Sequence, residues 1–244
     1  MSREKSFLGT VLVTGAAKRI GRAICFHLAQ LGFNIAIHYH RSQAQAKELQ
    51  KELKTFNIAS GIFPCDLSNE KKVSGLIQHV YKTFPDLNLL INSASIFEKS
   101  QFKSARLNSL NRHYDINFKA PFILSQAFAH TVKRGEIINI LDTNIVKNKT
   151  HHHTYLLTKK LLFELTKMTA IELAPRIRVN AVAPGAILPP GGKGEDYLKA
   201  RAQQSPLRMK GDVGHITSSV EFLIKNSFVT GQVIFADGGE HLIS

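Results

Sequence analysis

The chain has 244 residues, of which 43% are apolar and 20% are charged, a balance typical of a soluble globular protein. One domain over residues 1–244 is the default for an α/β protein of this length. The formal net charge of +14 could attract polyanions, but the basic residues are scattered and form no nucleic-acid-binding motif. We therefore expect no nucleic-acid partner.

The N-terminal residues and the cysteines indicate where the protein is located. The first nine residues are polar and lack the apolar segment of a signal peptide, and no later stretch is long enough to span a membrane. Cys25 and Cys65 form no paired motif and are expected to be free thiols in a reducing compartment. These features predict a cytoplasmic protein without a membrane partner.

The first forty residues have the pattern of a strand, a glycine-bearing turn, a helix and a second strand. Thr10–Thr14 and Phe33–His38 are the predicted strands, and Gly32 ends the helix between them. The turn, Thr14-Gly15-Ala16-Ala17-Lys18-Arg19-Ile20-Gly21, leads into the helix N-terminus. Backbone N–H groups at a helix N-terminus bind anions, so this turn predicts a phosphate site.

The second strand ends in His38-Tyr39-His40-Arg41-Ser42, where a site specific for NAD usually has an acidic residue. Here no acid is present, and the segment offers donors and positive charge that would suit a 2′-phosphate. This favours NADP over NAD. An ordinary polar loop is the alternative for this stretch taken alone.

Strands and helices continue to alternate through the middle of the chain. A polar helix is predicted over 42–54, a strand over 58–64, a helix capped by Ser68 over 68–84, and a strand over 87–91. The next residues, Asn92-Ser93-Ala94-Ser95, are small and would let a ligand approach the backbone closely. Phe97 follows in a loop, either as a core plug or as a stacking surface for a flat ligand.

The stretch from Ile137 to Pro184 carries the chemistry. Asp142 directly follows the apolar strand 137–141, and Tyr155 and Lys159 lie four residues apart on one face of the next predicted helix. A lysine ammonium near a phenol lowers the tyrosine pKa, so the pair predicts a general acid. Another strand, 177–183, ends in Pro184-Gly185, and ligands of open α/β sheets bind at such carboxyl ends.

The remaining segments complete the predicted architecture. One long helix is predicted over 107–132, a loop or lid over 187–194, helices over 195–204 and 212–224, and a strand over 232–236. His151-His152-His153 are adjacent, so their side chains point in different directions and no metal site is expected. The alternation predicts a doubly wound parallel sheet with helices on both faces.

In this order, the motifs resemble the short-chain dehydrogenase/reductase family from about Thr10 to Gly239, which implies a Rossmann-type fold. Asn117, Tyr155 and Lys159 match the family's catalytic Asn, Tyr and Lys, and Asp142 stands where its serine usually is. The resemblance implies these dinucleotide contacts: Gly15, Arg19, Ile20, Gly21, His38, Tyr39, His40, Arg41, Ser42, Asp66, Leu67, Ser93, Ala94, Ser95, Tyr155, Lys159, Pro184 and Gly185.

The departures from the family pattern resemble its pteridine reductase branch and the related dihydromonapterin reductases. These departures are Asp142, Arg19 at the middle glycine of the cofactor turn, and Ser93 and Ser95 in the element after the fourth strand. The branch also has a phenylalanine at the position of Phe97, where the pterin stacks. The substrate contacts implied are Phe97, Asp142, Tyr155 and Arg19.

The expected function is an NADPH-dependent reductase of dihydropterins such as dihydrobiopterin or dihydromonapterin, with dihydrofolate as a further substrate. Tyr155 and Asp142 would deliver the proton, and Asn117 would hold a water in a relay to Lys159. One alternative is a carbonyl reductase of the 3-oxoacyl-thioester type, and another is an NADP-sensing protein without catalysis. The family implies a homotetramer packed through the helices of Asn117 and Tyr155.

Overall fold

A computed structural model of the chain describes residues 8–190 and 194–243. Within these ranges seven parallel strands form one sheet, in the order β3-β2-β1-β4-β5-β6-β7. The strands are β1 Thr10–Val13, β2 Asn34–Tyr39, β3 Ser60–Pro64, β4 Leu87–Asn92, β5 Gly135–Ile140, β6 Ile177–Pro184 and β7 Val233–Ala236. The predicted α/β fold with a doubly wound parallel sheet is confirmed.

Helices cover both faces of the sheet. They are α1 Arg19–Leu31, α2 Gln43–Leu53, α3 Glu70–Thr83, α4 Leu107–Tyr114, α5 Ala120–Thr131, α6 His153–Glu172, α7 Glu195–Gln203 and α8 Val213–Lys225. One apolar cluster joins the sheet to α1, α2 and α8, and a second joins it to α3 and α5. Successive residues of β1 alternate between them, with Val11 and Val13 in the first and Leu12 in the second.

The order of the strands creates the crevice in which a ligand can bind. β1 lies between β2 on one side and β4 on the other, so the connections that leave β1 and β4 diverge. Such a switch point is where open α/β sheets bind their ligands. The predicted cofactor turn after β1 and the small residues after β4 both lie at this edge.

The single helix predicted over 107–132 is confirmed as an unbroken helical segment from Leu107 to Thr131, although its middle is not α-helical. Between α4 and α5 lies a π-helical turn, Asp115–Lys119, which contains Asn117. Pro121, near the start of α5, has no N–H to donate to the carbonyl four residues earlier, so the regular α pattern cannot run through this point. The wider turn accommodates the proline and leaves the Asn117 side chain free for contacts outside its own helix.

The prediction that Ser68 caps the N-terminus of α3 is wrong. The side chain of Asn69 caps α3 by accepting a hydrogen bond from the backbone N–H of Lys72 at 3.2 Å. The backbone N–H and hydroxyl of Ser68 instead donate to Oδ1 of Asp66. Ser68 is therefore hydrogen-bonded to the Asp66 carboxylate and does not cap the helix.

His38 and Tyr39 were both expected to face the cofactor, and the structure corrects this. β2 extends to Tyr39 and is paired on both sides, with helices over both faces, so alternating side chains are all buried. Tyr39 packs in the core cluster of α1 and α2. His38 is 2% exposed, accepts a hydrogen bond from Gly15 N–H at Nδ1 (3.1 Å) and places Nε2 3.0 Å from the Cys65 carbonyl.

Part of the predicted loop over 187–194 lies outside the described residues, namely 191–193, so its role as a lid stays a prediction. In the ranges that are described, no helix combines the length and the apolar composition needed to cross a membrane.

Burial lowers the pKa of His38 to about 4, and its hydrogen bond to the Cys65 carbonyl only partly offsets this. In the unfolded chain the pKa of His38 is near the ordinary value of about 6.5. Between pH 6.5 and 4, His38 is therefore protonated in the unfolded chain and neutral in the folded one. We predict that acidification from pH 6.5 to 4 costs the wild type about 3 kcal/mol of unfolding free energy through His38. His38→Asn, which keeps an acceptor for Gly15, should lose this component.

Urea unfolding at pH 4, 5 and 6.5 measures the difference. The matched control is His130→Asn, because His130 is exposed at the end of α5. Parallel pH dependences for the wild type and His38→Asn would contradict the prediction.

Candidate active site

Three predicted catalytic side chains meet at the carboxyl edge of the sheet. Asp142 follows β5, and Tyr155 and Lys159 lie in the first two turns of α6, which begins at His153. The Tyr155 hydroxyl donates a hydrogen bond to Oδ2 of Asp142 at 2.9 Å. A phenol and a carboxylate in direct contact can share and pass on a proton.

The orientation of Asp142 is fixed by the short 3₁₀ turn that follows it, Thr143–Val146. Its Oδ1 accepts two hydrogen bonds from Asn144, one from the backbone N–H and one from the side-chain amide, both at 2.8 Å. Each carboxylate oxygen has two acceptor sites, so Oδ2 can accept one donor besides Tyr155.

Lys159 is 3% exposed and donates from Nζ to the Ile140 carbonyl at 2.7 Å. Its Nζ lies 5.8 Å from the centre of the Tyr155 ring. Burial lowers the pKa of Lys159 to about 8, and the charge of Asp142 partly offsets this. The lysine thus changes its charge close to neutral pH.

The expected effect of Lys159 on Tyr155 is not what the structure shows. Burial and then the negative charge and hydrogen bond of Asp142 raise the pKa of Tyr155 well above its usual value. A carboxylate that accepts a hydrogen bond from the phenol favours the neutral phenol. Tyr155 is therefore a protonated donor in this arrangement.

Asn117 is fully buried and ties two active-site segments together. Its side-chain oxygen accepts from the Ile96 N–H at 2.9 Å, and its amide donates to the Ile96 carbonyl at 3.0 Å and to the Thr158 hydroxyl at 3.3 Å. The hydrogen bonds of Asn117 in the π turn thus fix the backbone next to Phe97 against α6. The water relay to Lys159 stays a prediction.

Phe97 is 51% exposed, which excludes a core plug, and its role as a stacking surface for a flat ligand stays a prediction. Its ring makes a T-shaped contact with the Tyr155 ring at a centroid distance of 4.7 Å, and one of its faces is stacked on the His152 imidazole at 4.1 Å. Nδ1 of His152 lies 3.0 Å from the Glu98 carbonyl. A half-exposed aromatic ring therefore lies beside the Tyr155 ring.

The turn after β1 needs glycine at two points. Gly15 has φ +64°, and a Cβ there would lie 2.8 Å from Cα of Ala94. A Cβ on Gly21 would lie 2.5 Å from the Gly15 carbonyl oxygen. The hydroxyl of Thr14, whose role the motif reading missed, accepts from the N–H groups of Ser93 and Ala94 at 2.9 and 3.0 Å.

Arg19 occupies the left-handed region with φ +55°, a conformation that glycine adopts without strain. Its Nη1 donates to the Pro189 carbonyl at 3.1 Å, so the side chain spans from the turn to the segment after β6. Ile20 is partly buried and packs against the core cluster of α1. The contacts of Arg19 with the cofactor phosphates and with the substrate stay predictions.

The end of the crevice at β2 and β3 carries the predicted 2′-phosphate residues. His40 and Arg41 are exposed, Ser42 is partly buried, and Nε2 of His40 lies 3.6 Å from the Asp66 carboxylate. Leu67 is buried in the core cluster of α3, so its side chain is not available at the surface. The contacts of His40, Arg41 and Ser42 with a 2′-phosphate stay predictions.

The opposite end of the crevice is closed by the turn after β6, where Pro184 is buried and pairs with Ala236 of β7. A Cβ on Gly185 would lie 2.8 Å from Cα of Asp237. Ser95 donates from its hydroxyl to the Asn117 side chain at 3.2 Å and is exposed. Over residues 8–190 and 194–243, no three His, Cys, Asp or Glu side chains are grouped so that they could hold a metal ion.

Comparisons with known proteins agree with this geometry. Residues 15–241 match a family model described as "Enoyl-(Acyl carrier protein) reductase". The 3-oxoacyl-[acyl-carrier-protein] reductase FabG of Staphylococcus epidermidis is 31% identical over 241 residues, covering 96% of this chain and 99% of the relative.

Two solved structures are similar over almost the whole chain. FolM alternative dihydrofolate reductase 1 from Brucella canis, complexed with NADP, is 32% identical with a TM-score of 0.91, covering 97% of this chain and 96% of that one. Acetoin dehydrogenase YohF from Salmonella typhimurium is 29% identical with a TM-score of 0.89, covering 97% of each chain. The chain therefore belongs to the short-chain dehydrogenase/reductase family of oxidoreductases.

Proposed function

We propose that this protein reduces dihydropterins, including dihydrofolate, with NADPH. The observation that carries the proposal is the hydrogen bond from Tyr155 to the carboxylate of Asp142. Reduction of a C=N bond needs a hydride at carbon and a proton at nitrogen. A carboxylate beside the proton donor can also accept hydrogen bonds from the N–H and amino groups that a pterin presents.

The crevice fits a dinucleotide. The close approach of Gly15 to Ala94 and of Gly21 to Gly15 leaves backbone without side chains at the helix N-terminus of α1, where a pyrophosphate can approach the N–H groups. His40 and Arg41 would hold the 2′-phosphate, and Lys159 the nicotinamide ribose. NADPH, when bound, supplies the hydride. The NADP complex of the similar FolM structure supports this assignment.

The chain's own residues supply the proton. Because its pKa is raised, Tyr155 keeps its proton until a substrate with a more basic nitrogen is bound. Transfer of that proton to a substrate nitrogen leaves a phenolate, which the nearby Lys159 ammonium stabilises. Asp142 can then return a proton to Tyr155 along the existing 2.9 Å contact, once it has taken one from solvent.

Phe97 provides the stacking surface for the substrate ring. Its exposed ring borders both Tyr155 and the segment tied down by Asn117, so a planar ligand on it lies next to the proton donor. Offset stacking of flat rings contributes about 0.5–1.5 kcal/mol beyond the burial of apolar area. The similarity to a protein described as an alternative dihydrofolate reductase supports a pterin-containing substrate.

A 3-oxoacyl-thioester reductase is the second candidate, favoured by the FabG relatives at 31% identity. In that reaction the proton goes to a carbonyl oxygen, and a serine hydroxyl is sufficient to steady it. Asp142 has no evident use there. A third candidate, an NADP sensor without catalysis, leaves the Tyr155–Asp142–Lys159 arrangement without a purpose.

We infer a homotetramer packed through the helices of Asn117 and Tyr155. Leu157, Leu161, Met168 and Ile171 are exposed on α6 at spacings of three, four and seven residues, which places them on one face, and Phe122 is exposed on α5. An apolar face of this length is costly to leave in water, and a second copy would cover it. Sedimentation of the purified protein tests this, since a monomer would contradict it.

We also infer that the protein works in the cytoplasm. Cys25 and Cys65 are both buried and free, and a reducing compartment maintains such thiols. Burial raises the pKa of the Cys25 thiol, so this side chain is chemically inert.

Replacing Asp142 by serine separates the first two candidates. We predict that Asp142→Ser lowers kcat/KM for a dihydropterin by about 10²-fold, because proton delivery and the contact to the pterin nitrogens are lost together. Turnover of an acetoacetyl thioester should not fall. The rate of NADPH oxidation with each substrate measures both, and unchanged pterin turnover would overturn the proposal.

Replacing Arg41 tests the cofactor preference. We predict that Arg41→Ala raises KM for NADPH about tenfold and leaves KM for NADH unchanged, because only NADPH carries the 2′-phosphate that Arg41 would contact. Arg134→Ala, at an exposed arginine beyond α5, is the matched control and should change neither. Equal effects of Arg41→Ala on both cofactors would contradict the assignment.

A further inference from the structure

We propose that Asp237, at the end of β7, is a positioning residue for Asp142 and acts through the hydroxyl of Thr143. This inference rests on the proposed role of Asp142 and Tyr155 in proton delivery. Asp237 is separated from Asp142 by 95 positions in the sequence, and motif spacing gives no reason to connect them.

The carboxylate of Asp237 is a hub of hydrogen bonds. Its side chain is 1% exposed. It accepts from the Thr143 hydroxyl, from the N–H of Gly239 at 3.0 Å, and from the N–H and Nδ1 of His241 at 2.8 and 2.9 Å. Burial acts to raise the pKa of Asp237, but these hydrogen bonds outweigh it and hold the pKa below its usual value. Asp237 is thus an ionised, fully enclosed anchor.

Thr143 connects Asp237 to the active site. It is the residue after Asp142, it is buried, and it opens the 3₁₀ turn whose next residue, Asn144, donates both hydrogen bonds to Oδ1 of Asp142. A rotation of this turn would move those two donors, and with them the oxygen that receives Tyr155. The hydroxyl of Thr143 holds the turn to Asp237 at its first residue.

The other end of the same turn has a second anchor in the C-terminal segment. Nζ of Lys147 donates to the Glu240 carbonyl, and the Glu240 carboxylate pairs with Arg201 of α7. The imidazole of His241 is stacked on Phe235 of β7 at 4.1 Å, which holds the segment against the sheet. Residues 237–241 therefore clamp residues 143–147 at both ends.

A purely structural clamp and a positioning device make different predictions. If the contact only stabilises the fold, its loss lowers the melting temperature and leaves the rate constants of the folded protein unchanged. If it positions Asp142, its loss lowers kcat with a dihydropterin, and the loss disappears once the Asp142 carboxylate is gone. A double-mutant cycle distinguishes the two.

The experiment combines Thr143→Val, which removes the hydroxyl and keeps the shape, with Asp142→Asn. We expect Thr143→Val to lower kcat for a dihydropterin about tenfold, with KM for NADPH unchanged, and to have no further effect in the Asp142→Asn background. Thr143→Ser should restore most of the rate because it restores the hydroxyl. Thr217→Val is the control, since Thr217 is also buried and its hydroxyl donates to the Gly214 carbonyl within α8.

Asp237→Asn goes through the same cycle as a second variant, so that poor folding of Thr143→Val does not decide the outcome. Additive losses in the double variants, or full activity of both single variants, would overturn the inference. If Asp142→Asn itself leaves pterin turnover intact, the proposed function is overturned instead, and the two failures are distinguishable.

Discussion

The hydrogen bond between the Tyr155 hydroxyl and the Asp142 carboxylate is the interaction on which the rest of the site depends. It joins the first turn of α6 to the end of β5 at the carboxyl edge of the sheet. The surrounding contacts fix its two partners: Asn144 holds the carboxylate, and the tyrosine ring is packed between Phe97 and the buried Lys159. Tyr155 is buried, whereas Asp142 is only partly buried, so the carboxylate side of the pair can exchange protons with solvent.

The same contact reverses the usual logic of a tyrosine beside a lysine. A carboxylate in contact raises the pKa of the phenol, whereas an ammonium lowers it, and in this arrangement the carboxylate is closer. Tyr155 therefore begins the reaction protonated at any physiological pH. In the proposed mechanism Lys159, with a pKa of about 8, stabilises the charge that appears after the proton has moved.

The sequence was sufficient for those features that local patterns determine. Strand positions, the glycines of the first turn and the shared face of Tyr155 and Lys159 follow from periodicity and spacing, and the structure has the predicted sheet. The burial of His38 and Tyr39 could not be predicted in this way, because it depends on where β2 ends between its two neighbours. The π turn at Asn117 could not be predicted either, because the hydrogen bonds between Asn117 and Ile96 that stabilise it join residues distant in the sequence.

The link from Asp237 to Thr143 shows the same limit, because only the pairing of β6 with β7 brings the C-terminal segment against residues 143–147.

The central claim is the substrate class. The most direct measurement follows NADPH oxidation by the purified protein with dihydromonapterin, dihydrobiopterin, dihydrofolate and an acetoacetyl thioester in parallel. The account predicts turnover of a pterin-containing substrate, and turnover of the thioester alone would contradict it.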